Sequence, residues 1–435
     1  MLRRTSLSLG LVVLATTGCE DDAPFGLAER AAQVRELDFS EAVPVEKISR
    51  EEYRALQEAE ALEITDEDLT DLAETYGRLG YFPPSLDLRS IYAVSSDWID
   101  AYYSDVDGKI TVVGEPLDGL LIHELVHALQ DQHFALGAYK DVDTTDEHLA
   151  RRAVVEGDAS LAADRFYAEE RGYDLARLDW APYLAKLNAR ADRVFAEAVV
   201  PPFFSAYPSF AYGIGERYCA HNLLGIDEQY PQPKSETHDW ADEDELFGAR
   251  APASTLEVLT LDKTLPGAPV GIDDVPSALG ARYVSFDTDV LGAWYTHLLL
   301  LPVEETLKAD AAAFVLGIRG DRVLFVNDMT TGSRAVVFTT AWSDDDHAGR
   351  FASAMRTLHG ITEDSVEPRL GTAADGEAIW LEQSGTKVVT IKNLATEDME
   401  AMATAALSGG IPASGKAAPH RRKLLPTLRR FPAFR

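Results

Sequence analysis

At 435 residues the chain is long enough for two or three domains and a large core, which excludes a peptide hormone or a disulfide-stapled miniprotein. Hydrophobic residues make up 46% and charged residues 26%, the balance of a folded protein rather than a disordered or fibrous one. With 72 Asp+Glu against 40 Lys+Arg the net charge is -32, so most of the surface repels phosphate backbones and no nucleic-acid partner is expected.

The chain opens with Arg3 and Arg4, an apolar run from Leu7 to Ala15, and small residues leading to Cys19. That pattern reads as a secretory signal over residues 1–18, because a membrane-spanning helix needs about 20 apolar residues. Small residues ending in a cysteine resemble a bacterial lipoprotein signal, so Cys19 is expected to carry lipid and hold the protein at the cell envelope. The simpler alternative is an ordinary cleaved signal and a soluble secreted or periplasmic protein. Cys19 and Cys219 are the two cysteines, too few for a disulfide framework or a four-thiolate zinc site.

Residues 19–30 read as a polar tether. Helices are expected over Ser49–Leu62 and Thr65–Leu79, the latter starting on the acids Asp66, Glu67 and Asp68. Tyr102–Val113 reads as a hairpin turning at Asp107-Gly108, and Lys109–Val113 offers itself as an edge strand for an extended peptide. Leu117–Phe134 and Asp146–Gly172 are the next helices, followed by one over Ala181–Ala198. Pro231–Pro252 is acidic and Pro-containing and reads as a surface loop. From about Ser285 paired β runs alternate with helices: Arg322–Val326, Ala335–Trp342, the helix Asp345–Leu358, Ala378–Glu382, Lys387–Ile391 and the helix Thr396–Leu407. The expected class is therefore α+β: a mainly helical domain with a small β hairpin over 31–266, then a smaller α+β domain with an antiparallel sheet over 280–410. The second domain holds no His/Glu cluster, so it is expected to be non-catalytic and to dock on the first or bind a protein partner. Residues 411–435 carry seven cations and no acid and read as a disordered basic tail.

The chemistry is concentrated in His123-Glu124-Leu125-Val126-His127. Residues four apart on a helix share a face, so both imidazoles reach one ion while Glu124 stands beside it as a base. For ten histidines the chance of one accidental HExxH is on the order of two in a hundred. Two imidazoles suit zinc, which needs a third protein ligand and keeps an open position for water. Glu156, on the next predicted helix and followed by Gly157, is the best candidate; pairing with Arg152 on an exposed face is the bland alternative, and Glu147, His148 and His133 compete for the role. Asp158, Asp131 and Gln130 are candidate acceptors for the ring N–H groups. Tyr207, Tyr212, Arg217 and His221, in the aromatic segment that follows, are candidates to stabilise a developing oxyanion.

HELVHALQDQHF (His123–Phe134) followed by EGDAS (Glu156–Ser160) resembles the zinc metallopeptidases of the gluzincin type. More closely it is similar to a group of exported bacterial HExxH proteins whose motif runs on into HALQDQ. The likeness extends to Tyr102–Val113, Ala251–Leu261, Gly320–Arg322 and Thr340–Trp342. It implies a zincin-like fold, one Zn²⁺ on His123, His127 and Glu156, Glu124 as general base, and a peptide or protein substrate. The interval from His127 to Glu156 is longer than in many gluzincins. The rival function is a lipid-anchored binding or assembly protein that keeps a zinc site without turnover; the presence of Glu124, which structural zinc does not need, is what separates the two.

Overall fold

Local capping chemistry sets the first helices in the computed structural model, which describes residues 24–95, 99–173, 180–183, 185, 201–204, 210–226, 240–265, 267–272, 275–361, 369–409 and 424. The first helix, α1, runs over Pro24–Arg35 and buries Ala28, Ala31 and Val34. Residues 24–30 of the expected tether are therefore helical. Its small side chains give a shallow apolar stripe that still packs closely on the helices beneath. Ser49 caps α2 (Arg50–Glu63) and Thr65 caps α3 (Asp66–Leu79), each by a reciprocal capping box with the acid three residues on. Gly80 ends α3 in the left-handed region at φ 104°. The short α4 (Leu88–Ser95) leads to a three-stranded sheet.

In that sheet β1 (Val45–Ile48) pairs in parallel with β3 (Lys109–Val113), and β2 (Ala101–Ser104) pairs antiparallel with β3. The predicted hairpin is present, but the order β1-β3-β2 puts Lys109–Val113 in the centre. Its backbone groups are spent on two neighbours, so it is no edge for a peptide, and β1 and β2 are the edges instead.

Helix α5 (Asp118–Phe134) buries Ile122, Val126 and Leu129 and ends at Ala135, a left-handed residue at φ 53°. The short α6 (Leu136–Lys140) connects it to α7 (Thr145–Glu170). A π-helical turn over Phe210–Ile214 runs directly into α8 (Gly215–Leu224), which packs on α7. The approach is backbone to backbone: a Cβ on Gly157 would lie 2.3 Å from the Gly215 carbonyl carbon. Trp240–Asp244 forms α9, continued by a 3-10 turn to Phe247, and Trp240, Leu246 and Phe247 are buried. The described part of the expected surface loop 231–252 is thus core-forming where its large apolar residues stand.

Next come α10 (Thr255–Thr260) and a seven-stranded sheet built from β4 (Ala268–Pro269), β5 (Tyr283–Asp289), β6 (Ile318–Asp328), β7 (Arg334–Trp342), β8 (Leu370–Thr372), β9 (Ala378–Ser384) and β10 (Lys387–Lys392). Its path is β4-β6-β7-β10-β9-β8, with β5 also on β6; every pairing is antiparallel except β4 with β6. Short helices α11 (Val275–Ala278), α12 (Gly292–Leu300), α13 (Glu304–Leu307) and α14 (Ala311–Val315) precede β6, and α15 (Asp345–Leu358) and α16 (Thr396–Ser408) complete the expected strand–strand–helix repeats.

Strand alternation divides the sheet between two cores. Val323, Phe325, Val336 and Phe338 face the large core shared with α5 and α7, whereas Leu324, Val326, Ala335 and Val337 face a smaller core closed by α16. The large core therefore runs without interruption from Ala28 to Val388, across the boundary expected between 266 and 280. It also takes in Leu424: this residue of the expected disordered tail is 2% exposed and donates its N–H to Asp287 Oδ2 at 2.9 Å. The other residues of 411–435, and Cys19, lie outside the described residues, as does most of the helix expected over Ala181–Ala198.

The sheet segment also builds the start of α7. The Thr145 N–H donates to Asp289 Oδ1 at 2.8 Å, the Asp146 N–H to the Val290 carbonyl at 3.0 Å, and the Glu147 N–H to the Thr144 hydroxyl at 3.2 Å. Three donors that a helix start leaves unsatisfied are thereby covered, two of them from the C-terminal segment.

Two outcomes follow. A chain truncated after Leu265 loses both that cover and one wall of the large core, so it should lack a cooperative unfolding transition by circular dichroism; a cooperative melt would show that the first half folds alone. Gly157→Ala forces α7 and α8 apart and should lower stability by about 1–3 kcal/mol in denaturant unfolding; an unchanged midpoint would mean the helices can separate without cost.

Candidate metal centre

Helices α5 and α7 bring three buried side chains to one point. His123 Nε2 and His127 Nε2 are 3.0 Å apart, and Glu156 Oε2 lies 3.2 Å from the first and 3.3 Å from the second. These are the edges of one triangular face. Around an ion with Zn–N and Zn–O bonds of ~2.0–2.1 Å, tetrahedral ligand atoms stand about 3.3 Å apart, so the donor set fits a small divalent ion with its fourth corner open. The three residues form the one His/Cys/Asp/Glu group among the described residues whose ligand atoms converge in this way, and a buried His-His-Glu group of this kind can hold a metal ion.

The electrostatics follow from burial. Desolvation works against charge on His127, but Glu156 outweighs it and raises the imidazole to about 9. Desolvation likewise disfavours a charged Glu156, yet His127 and Arg152 hold its carboxyl well below the usual range. Arg152 Nη2 lies 3.2 Å from Glu156 Oε1, while the two histidines face Oε2. The pairing expected on an exposed face is thus a buried one, compatible with ligation through the other oxygen.

Glu124 is buried beside the histidines, and its Oε2 accepts the Tyr103 N–H of β2 at 2.8 Å. Burial pushes its carboxyl up, opposed by the neighbouring histidines. The Tyr212 ring, on the π-helical turn, sits 5.7 Å from that of His123. Burial and the adjacent Glu156 carboxylate push its phenol well above the ordinary range, so it remains a neutral O–H donor.

The other candidates separate. Gln130 Oε1 is 2.8 Å from His127 Nδ1, and Gln130 Nε2 donates to Asp158 Oδ2 at 2.7 Å. Gln130 therefore touches the ring directly, and Asp158 acts through it. Asp131 does not serve a histidine: Oδ2 accepts the Tyr103 hydroxyl at 2.9 Å and Oδ1 the Leu136 N–H at 2.8 Å, because β2 and the start of α6 lie nearer than the ring. Arg217 Nη1 donates to the Leu259 carbonyl of α10 at 3.3 Å, and His221 Nδ1 lies 2.8 Å from the Ile226 carbonyl just beyond the end of α8. Tyr207 lies outside the described residues. The rival ligands are engaged elsewhere, with His133 Nε2 2.8 Å from the Asp38 carbonyl, His148 Nδ1 3.1 Å from the Lys140 carbonyl, and Glu147 paired with Arg151 at 2.7 Å. Sequence reasoning missed the Tyr103 N–H on Glu124, which a side-chain pattern does not encode.

Residues 281–403 match a family described as a domain of unknown function (DUF8575). That span, from just before β5 into α16, contains Asp289 at the start of α7 but none of the three converging residues. No curated protein and no solved structure matches the chain.

The raised His127 value fixes a pH dependence for the metal-free protein. A histidine held at about 9 against an ordinary 6.5 adds stability that is full below about 6.5 and disappears as pH rises past about 9. The stability advantage of metal-free wild type over His127→Gln, measured by denaturant unfolding from pH 6 to 10, should shrink across that window. An advantage that grows with pH would contradict the Glu156–His127 ion pair.

Proposed function

We propose that the protein is a zinc-dependent hydrolase, most simply a metallopeptidase of the gluzincin type with a zincin-like fold around α5 and α7. The observation that carries the reading is the single buried point at which His123 Nε2, His127 Nε2 and Glu156 Oε2 meet, with Glu124 adjacent. Zinc bound there supplies Lewis acidity, lowering the pKa of a water and polarising a carbonyl. The remaining work belongs to this chain. Arg152 fixes one oxygen of Glu156 and leaves the other to the metal. The Tyr103 N–H holds Glu124 in place, and burial raises its carboxyl toward the range where a carboxylate can take a proton from water and return it to a leaving amine. Tyr212, whose ring stands 5.7 Å from that of His123 and whose hydroxyl meets Glu156, is the candidate donor to negative charge developing on the substrate oxygen.

The reading keeps the export signal over residues 1–18 and lipid attachment at Cys19, which places the enzyme at the cell envelope with peptides or proteins as substrates. No described helix is long and apolar enough to cross a membrane. The segment 281–403 serves in this reading as a structural partner of the metal-bearing helices, and its outer surface is where a protein partner would bind.

Purified wild type should bind about one zinc per chain and cleave members of a peptide library, as three-ligand sites with an open position do. Glu124→Gln should keep the zinc and lose cleavage by at least about 100-fold, the scale of a general base. Full zinc with no cleavage in either protein would favour the binding or assembly role instead.

A further inference from the structure

Helix α1 carries a guanidinium with no solvent contact. Arg35 is wholly buried; its Nε donates to Asp158 Oδ2 at 2.9 Å, its Nη2 to Asp244 Oδ1 at 2.5 Å, and it lies 4.6 Å over the Trp240 ring. The same Asp158 oxygen accepts Gln130 Nε2 at 2.7 Å, and that amide nitrogen also donates to the Val155 carbonyl at 3.0 Å.

These two acceptors decide the polarity of the Gln130 amide. Its NH₂ end is the one facing Asp158 and Val155, so its oxygen is the end 2.8 Å from His127 Nδ1. An amide oxygen only accepts, so Nδ1 carries a hydrogen. In the neutral ring the lone pair then sits on Nε2, the nitrogen that faces His123 and Glu156. The opposite amide orientation would place two donors against Nδ1 and put the hydrogen on Nε2, where a metal must bind.

Asp158 is itself fully buried, and a buried carboxylate keeps its place only while a cation and donors satisfy it. Arg35 is that cation. Without it Asp158 loses the partner that orients its carboxylate, and the amide loses its fixed end. We propose that Arg35 is a positioning residue for the metal centre, acting from α1 through Asp158 and Gln130 to hold His127 in the Nδ1–H tautomer. The proposal rests on the metal-centre reading above, and it joins the N-terminal helix, of which residues 24–30 are expected to be a tether, to the chemistry of α5.

The test is a double-mutant cycle on the full mature chain: zinc affinity by competition with a chromogenic chelator for wild type, Arg35→Met, Gln130→Met and the double variant, with folding checked by circular dichroism. Each single substitution should weaken zinc by about 10- to 100-fold, the usual effect of a partner behind a ligand, and the double should be no weaker than the weaker single. In the zinc-loaded wild type the His127 Nδ1–H should be a solvent-protected proton by nitrogen-edited NMR, and Arg35→Met should lose that protection. If Arg35→Met does not fold, Arg35→Lys keeps a cation beside Asp158 and replaces it in the cycle; its several-fold loss should vanish in the Gln130→Met background. Wild-type affinity in the folded Arg35 variant, or losses that multiply in the double, overturns the proposal alone. Absence of zinc binding by wild type overturns the metal-centre reading and this proposal with it.

Discussion

A carboxylate held between two imidazoles in a dry interior is tolerated only if positive charge joins it, and Glu156 is placed to receive that charge from three sides. His123 and His127 come from α5, one turn apart, while Arg152 comes from the preceding turn of the same helix as Glu156. Desolvation alone would neutralise the carboxyl, yet these partners hold it ionised. An ion placed among the three donor atoms would replace contacts that otherwise bring two ring nitrogens to 3.0 Å of each other. The three donor atoms thus stand at separations that a small ion could bridge, an arrangement that a binding site with little reorganisation cost requires.

Holding α5 and α7 at that separation requires the whole molecule. Gly157, next to Glu156, allows α8 to pack against the α7 backbone, and this contact brings the π-helical turn bearing Tyr212 to the site. At the other end, Asp289 and Val290 satisfy the first N–H groups of α7. Asp289 sits on β5, and one face of the seven-stranded sheet lines the same core as α5 and α7. The segment of unknown function is thus continuous with α5 and α7 in packing and with α7 in hydrogen bonding. Its separateness in sequence texture reflects only a change from helices to paired strands.

Much of this was legible in the chain because the decisive signals are local. His123 and His127 are joined by helical periodicity, Ser49 and Thr65 announce helix starts, and α15 begins and ends where its pattern of apolar residues does. The failures share a different character. Helix α1 buries Ala28, Ala31 and Val34, whose small side chains make a weak stripe, and β1 is a four-residue strand with two charged residues that exists only because β3 lies beside it. Trp240, Leu246 and Phe247 are embedded among acids and prolines that read as loop. Helical spacing points Asp131 toward His127 because spacing is local information, whereas Tyr103 reaches it from another element. Arg35 meets Asp158 across 123 positions of sequence, and no local pattern carries that distance.

The most direct measurement is an anomalous-diffraction map, recorded at the zinc absorption edge, from crystals of the zinc-loaded protein. One peak should appear about 2.0–2.2 Å from His123 Nε2, His127 Nε2 and a single oxygen of Glu156, with Arg152 still on the other oxygen. A zinc peak elsewhere, or none at this point in a protein with both histidines intact, would contradict the assignment of the metal centre.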